Sequence, residues 1–192
     1  MSIKSILIAL PLAAMPMLAG CAATTGGAQT ASARADGREI VGPIREGRCR
    51  MNGCSWFQVQ DFAVVQENEQ GALLRVTQRE GASDHPDGKY PERPSESAIQ
   101  WSESYTSYFF CSAGFPAIIA EGESGGWEGL RLDLTTEAGV TAFVHNQYRA
   151  ICHPDGALDV DTSAAAARLG YTHNDGEEFR LSRPEDVFAR LK

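Results

Sequence analysis

Apolar residues recur along this chain with a period near two as far as about Leu134, and with a wider spacing beyond it. That change of period sets the order of elements: strands first, helices last. Trp56, Phe57, Val59, Phe62, Val64 and Val65 form a β-rich run, Glu67 to Gly71 reads as a turn, and Leu73, Leu74 and Val76 resume the run. This pattern predicts a hairpin. A polar loop is expected from Glu80 to Ser97, which holds Pro86, Pro91 and Pro94. After it Ile99, Trp101, Tyr105 and Phe109 occupy odd positions and are expected on one face of a strand. Pro116-Ala117-Ile118-Ile119 suggests a further short strand, Gly125-Gly126 a turn, and Leu130, Leu132 and Leu134 a half-buried strand alternating with Arg131 and Asp133.

From Thr136 to Cys152 the pattern divides. Val140, Phe143, Val144 and Ile151 fit a helical stripe, whereas Gly139 and the β-branched content favour a strand; the stripe tips the reading to helix. An Ala-rich helix follows, capped by Thr162 or Ser163 and running to Leu169, with Gly170 placed for a left-handed end. A last helix is expected where Ser182 and Glu185 have capping-box spacing, Pro184 sits in the first turn, and Val187, Phe188 and Leu191 supply an apolar face. The fold class is therefore α+β: one domain over residues 40–192, an antiparallel sheet with helices mainly in the C-terminal part. Its length of ~150 residues suits a single hydrophobic core.

The N-terminal pattern differs. Lys4 is followed by an apolar run from about Ile6 to Leu18, broken by Pro11 and Pro16, and then by Leu18-Ala19-Gly20-Cys21. The run falls short of the roughly 20 clean apolar residues that a membrane span requires, and has the order of a secretory signal. It resembles the lipobox signal of bacterial lipoproteins. That resemblance implies cleavage between Gly20 and Cys21, removal of residues 1–20, and acylation of Cys21 as a membrane anchor. Residue 22 is Ala and not the Asp that marks inner-membrane retention in many lipoproteins, which implies the periplasmic face of the outer membrane. Residues 21–39, the lipidated Cys21 and a stretch of mostly Ala, Thr, Gly, Ser and Gln, read as a flexible linker.

Charge and cysteine content agree with that address. The chain carries a formal charge of −8, which becomes −9 once Lys4 leaves with the signal. Such an acidic balance argues against nucleic acid as a partner and permits a basic one. Besides Cys21 there are four cysteines, Cys49, Cys54, Cys111 and Cys152, an even number in a chain bound for an oxidising compartment. Three pairings are open. Arg50-Met51-Asn52-Gly53 holds an Asn-Gly turn signal, which favours Cys49 with Cys54 and leaves Cys111 with Cys152. A metal held by Cys49, Cys54, Cys152 and His153 competes poorly, for want of a second close pair such as C-x2-C. No metal and no cofactor is expected.

Several motifs touch on chemistry. Gly122-Glu123-Ser124-Gly125-Gly126 satisfies G-x-S-x-G and resembles the serine segment of trypsin-like proteases, with Glu for their usual Asp. A nucleophile elbow needs a helix after the serine, yet an alternating strand follows. The trypsin-like pattern needs an upstream histidine motif, and His85 in its Pro-rich loop lacks one. A glycine-rich turn accounts for the pentapeptide. His-Pro-Asp-Gly occurs at His85 and again at His153, a turn sequence in both places. His145, His153 and His173, with Asp155, Asp159 and Asp161, are candidates for an acid-base or metal cluster. The aspartates lack the twelve-residue calcium loop and its terminal Glu. Trp101, Tyr105, Tyr108, Phe109 and Phe110 crowd one segment, more readily as core than as a binding face. The function expected is that of a non-catalytic binding or structural protein of the cell envelope, with the membrane and an envelope protein or cell-wall component as partners and no catalytic residue assigned. The alternative is a periplasmic hydrolase using Ser124 or the late histidines.

Overall fold

The computed structural model describes residues 40–123, 125–136, 139–156, 158 and 162–191. Its sheet begins with β1 (Ile44–Arg50) and β2 (Gly53–Asn68), joined through Met51 and Asn52. Both linking residues have positive φ, 51° and 67°, as a type I′ turn requires, and the twist of such a turn matches that of its strands. The Asn-Gly signal is thus used one residue out of frame, because Gly53 already pairs with Arg50. β1 was not evident in the sequence. It is an edge strand of mostly charged residues, the composition that keeps edges from aggregating.

β2 pairs along its length with β3 (Gly71–Asp84), from Gly53 opposite Asp84 to Asn68 opposite Gly71. The loop expected from Glu80 therefore starts later. Gly81 explains why: Ile99 and Trp101 lie where its Cβ would be, so β4 (Gln100–Trp101) is able to pair with Gly81 and Ala82. Ile99 and Trp101 pack with Cys54 and Trp56, whereas Phe109 of β5 (Tyr105–Cys111) belongs to the core on the opposite face. The four residues expected on one face are thus split between two, because the chain breaks at 102–104.

β6 (Ala117–Glu121) and β7 (Trp127–Arg131) continue the antiparallel order, and β8 (Glu178–Leu181) pairs outside β7. The sheet has eight strands in the order β1-β2-β3-β5-β6-β7-β8, with β4 alongside β3. Leu132 and Leu134 are buried beyond the end of β7 and not within a longer strand. On one face, Val59, Leu74, Val76 and Phe109 pack against Tyr148 and Ile151 of α1 (Ala142–Cys152) and Ala165 and Ala166 of α2 (Thr162–Arg168). Gly170 closes α2 in the left-handed conformation, φ 85°. On the other face, Leu73, Phe110, Ile119 and Phe179 pack against Val187 and Phe188 of a 3₁₀ helix, Pro184–Leu191. That last element is tighter than the α-helix expected. Its start is fixed one residue late, with the Arg183 N–H donating to Asp186 Oδ2 (3.1 Å), and three-residue spacing aligns Pro184 with Val187 and Phe188 with Leu191.

The molecule is thus an α+β domain built on one antiparallel sheet. Two disulfides brace it: Cys49–Cys54 joins directly opposed residues of β1 and β2, and Cys111–Cys152 ties the end of β5 to the end of α1. Their sequence separations are 5 and 41 residues. On loop-closure entropy the longer should contribute about 4 kcal/mol and the shorter about 2. Urea unfolding of the Cys111→Ser/Cys152→Ser and Cys49→Ser/Cys54→Ser proteins should therefore show the larger loss for the first. Equal losses would sink the entropic account.

Candidate functional site: a cleft beside the first helix

α1 covers one part of its face of the sheet and leaves another open. Tyr148 and Ile151 are fully buried over the central strands, and Val144, on the flank of the helix, lies against the same core. Past Val144 two rows of side chains cross β6, β7 and β8. One is Ile118, Leu130 and Glu178; the other is Ala120, Glu128 and Arg180. These rows and Val144 line an open cleft of about 580 Å³, apolar along its floor and charged at its rim. Arg180 Nη2 lies 3.1 Å from Glu128 Oε1, with both side chains largely exposed, so the pair adds only a few tenths of a kcal/mol. Gly129 lies between the rows, and a Cβ there would strike the ring of Phe179 on the opposite face.

Beyond Leu130 a second cavity of about 300 Å³ continues between β7, the start of α1 and residues 174–176. Asp133 is its anchor. The Thr135 backbone N–H (3.0 Å) and hydroxyl (2.6 Å) donate to Oδ1, the Thr136 hydroxyl (3.2 Å) donates to Oδ2, and His173 Nδ1 lies 2.6 Å from Oδ2. Burial alone would raise the carboxyl pKa, but these bonds outweigh it and hold the pKa below the ordinary value. Asn174 Nδ2 donates to the Leu132 carbonyl (3.0 Å), and the Arg131 N–H to the Glu177 carbonyl (2.8 Å), which lays this segment along the end of β7.

His145 forms the helix side of that cavity and is 4% exposed. Its Nε2 is 3.4 Å from Thr141 Oγ1, and its Nδ1 has no partner. Burial, aided by the Arg149 charge and opposed by Asp133, lowers its pKa from 6.5 to about 4, so the imidazole is neutral at neutral pH. His173 and Asp133 are the imidazole and acid of a catalytic relay in type, but the two hydroxyls of the cluster, on Thr135 and Thr136, are turned to Asp133. Ser124 lies outside the described residues, as do Cys21, Asp159 and Asp161.

The late histidines do not form one site. His145 and His173 meet around Asp133, while His153 is buried elsewhere, its Nε2 2.6 Å from the Tyr171 hydroxyl. The metal set of Cys49, Cys54, Cys152 and His153 is not assembled, since Cys152 is bonded to Cys111 and the other two cysteines to each other. Among the described residues no group of three or more His, Cys, Asp or Glu could hold a metal ion. The two His-Pro-Asp-Gly segments form the same turn twice. Gly88 N donates to the His85 carbonyl (2.9 Å) and Gly156 N to the His153 carbonyl (3.1 Å), each glycine at positive φ. Of the crowded aromatics, Phe109 and Phe110 are core, Tyr108 packs edge-on to Trp127, Trp101 lies under the Arg79 guanidinium, and the Tyr105 hydroxyl bonds to Glu80 and Gln78.

The His145 shift carries a pH dependence. Above about pH 6.5 His145 is neutral folded or unfolded; between that pH and about 4 only the unfolded chain takes up the proton, so stability falls as the pH falls. Urea midpoints measured from pH 7.5 to 4.5 should decline through this window, and His145→Gln should flatten the decline. An unchanged slope in the variant would show that His145 is charged in the native state.

No protein-family model matches this chain, and neither a curated protein nor a solved structure matches it.

Proposed function

We propose that this is a lipid-anchored protein of the bacterial cell envelope whose sheet domain binds a partner through the cleft beside α1, without carrying out a reaction. The observation that carries the binding role is the open sheet face itself: an apolar floor of Ile118, Ala120, Leu130 and Val144 left beside a fully packed core. Apolar clefts with a few charged groups at the rim are the common form of a binding surface. The lipobox ending at Cys21 supports the anchor, Ala22 the outer membrane, and two disulfides an oxidising compartment. Among the described residues no helix is long and apolar enough to cross a membrane, so on this reading attachment rests on the acyl chains.

One observation favours the competing reading, a hydrolase: the 2.6 Å contact of His173 Nδ1 with Asp133. On that reading Ser124→Ala and His173→Ala would each abolish esterase activity of the purified protein, whereas a binding protein has none to lose.

The anchor is tested by expressing the full chain in a Gram-negative host fed an alkynyl fatty acid. The wild type should be labelled and sediment with the outer membrane, and Cys21→Ser should be unlabelled and released from it. A photo-crosslinking residue at position 120 should capture an envelope component that the same residue at exposed Met51 does not. An unlabelled, soluble wild type would overturn the anchor, and equal capture from both positions the cleft.

A further inference from the structure

We propose that the cleft is built for a basic peptide segment of an envelope protein, its apolar side chains seated on the floor and its lysine or arginine groups held at the acidic rim. This rests on the cleft being the binding surface. The charges around it are one-sided. Glu128 and Glu178 flank the floor, and Asp133 and Asp175 lie in the adjoining cavity that begins at Leu130. Against these four acids the cleft presents Arg180. Arg131, although it lines the second cavity by its backbone, sends its guanidinium to the opposite face, where Nη2 donates to the Gly114 carbonyl (3.0 Å) and the group lies 4.8 Å from the Phe115 ring centre. His173, 69% exposed, lies beside Asp133 at the mouth.

The second observation is independent of charge. His145 is nine-tenths buried in the wall of that cavity with no partner at Nδ1. Thr141 meets the ring at Nε2, which leaves Nδ1 over, and in the tautomer with the proton on Nε2 that atom accepts from a donor such as an ammonium or guanidinium N–H. Acidic rim and apolar floor together select against phosphates and nucleic acid, and the negative charge of the chain steers cationic partners toward it. Arg180 has a definite part here. Its contact with Glu128 occupies the place of the ligand's cation, so it is a built-in competitor for the site.

The full-length protein in non-ionic detergent is titrated against three fluorescent peptides: acetyl-Lys-Leu-Lys-Val-Lys-amide, the same peptide with Glu for Lys, and the same with Ser for Leu and Val. Anisotropy should show the basic apolar peptide binding about tenfold tighter than either control, with the advantage over the acidic peptide shrinking in added salt. Glu128→Gln and Glu178→Gln should each weaken it about threefold, as a partly exposed charge pair implies, and Arg180→Gln should strengthen it about as much. Equal binding of acidic and basic peptides, no binding of either, or a preference indifferent to all three substitutions would overturn the proposal. If position 120 still captures an envelope component in those cases, the cleft remains a binding surface and only its charge preference is wrong.

Discussion

The organising constraint is a mismatch of size between the sheet and the helix that covers it. Seven strands in series, spaced about 4.8 Å apart, make a sheet roughly 29 Å wide. α1 has 11 residues, and a helix of that length is about 16 Å long and 10 Å across with its side chains. It reaches β1 through Asn146, β3 through Gln147 and β5 through Tyr148, and Val144 brings it to Ile118 of β6. α2 adds Ala165 and Ala166 to the same layer and widens the cover, but neither helix lies over the face of β6, β7 and β8 beyond Val144. The cleft is what the short helix leaves.

On the opposite face glycines let the cover approach closely. Gly81 accepts Ile99 and Trp101 where a Cβ would stand, and Gly129 accepts the ring of Phe179 in the same way. Phe179 in turn meets Phe115 edge to face, and Phe110 meets Phe188. Rings set onto bare backbone seal that side without a long helix. The asymmetry has its origin at single positions: Gly129 admits Phe179 on one side, while its neighbours Glu128 and Leu130 face the open cleft on the other.

Legibility followed the range of the interactions. The hairpin of β2 and β3, the core rows of Leu73, Leu74 and Val76, and the helix from Ala142 were readable because each repeats a local period. The disulfide of Cys49 with Cys54 follows from a local turn, even though that turn proved to centre on Met51 and Asn52. β1 and β8 escaped. Edge strands carry charge where core strands carry apolar residues, and Glu-Phe-Arg-Leu is too short to show a period. The cleft depends on β8 reaching back to β7, a pairing that no local pattern contains. Asp133 was read as the polar face of a strand. It became the hub of the second cavity because β7 stops at Arg131 and residues 133–136 curl so that Thr135 and Thr136 donate to it.

The two buried histidines show how surroundings and not residue type separate scaffold from site. Beside His153 the Tyr171 hydroxyl lies 2.6 Å from Nε2, and Tyr148 bonds to the Phe110 carbonyl and the Ser112 N–H next to the Cys111–Cys152 bridge. Burial holds the Tyr148 pKa well above its ordinary value and pushes that of Tyr171 up to about 12, so both hydroxyls stay protonated and remain donors. That network is a brace, with polar groups spent on one another. His145, one α1 neighbour of the same core, keeps Nδ1 unmatched and lies in a cavity wall. A buried ring nitrogen left unpaired costs on the order of 1–3 kcal/mol unless something supplies the missing partner. In a domain that pairs His153 with Tyr171, that deficit lies at the end of the sheet face that α1 and α2 leave uncovered, where an incoming partner group would recover it.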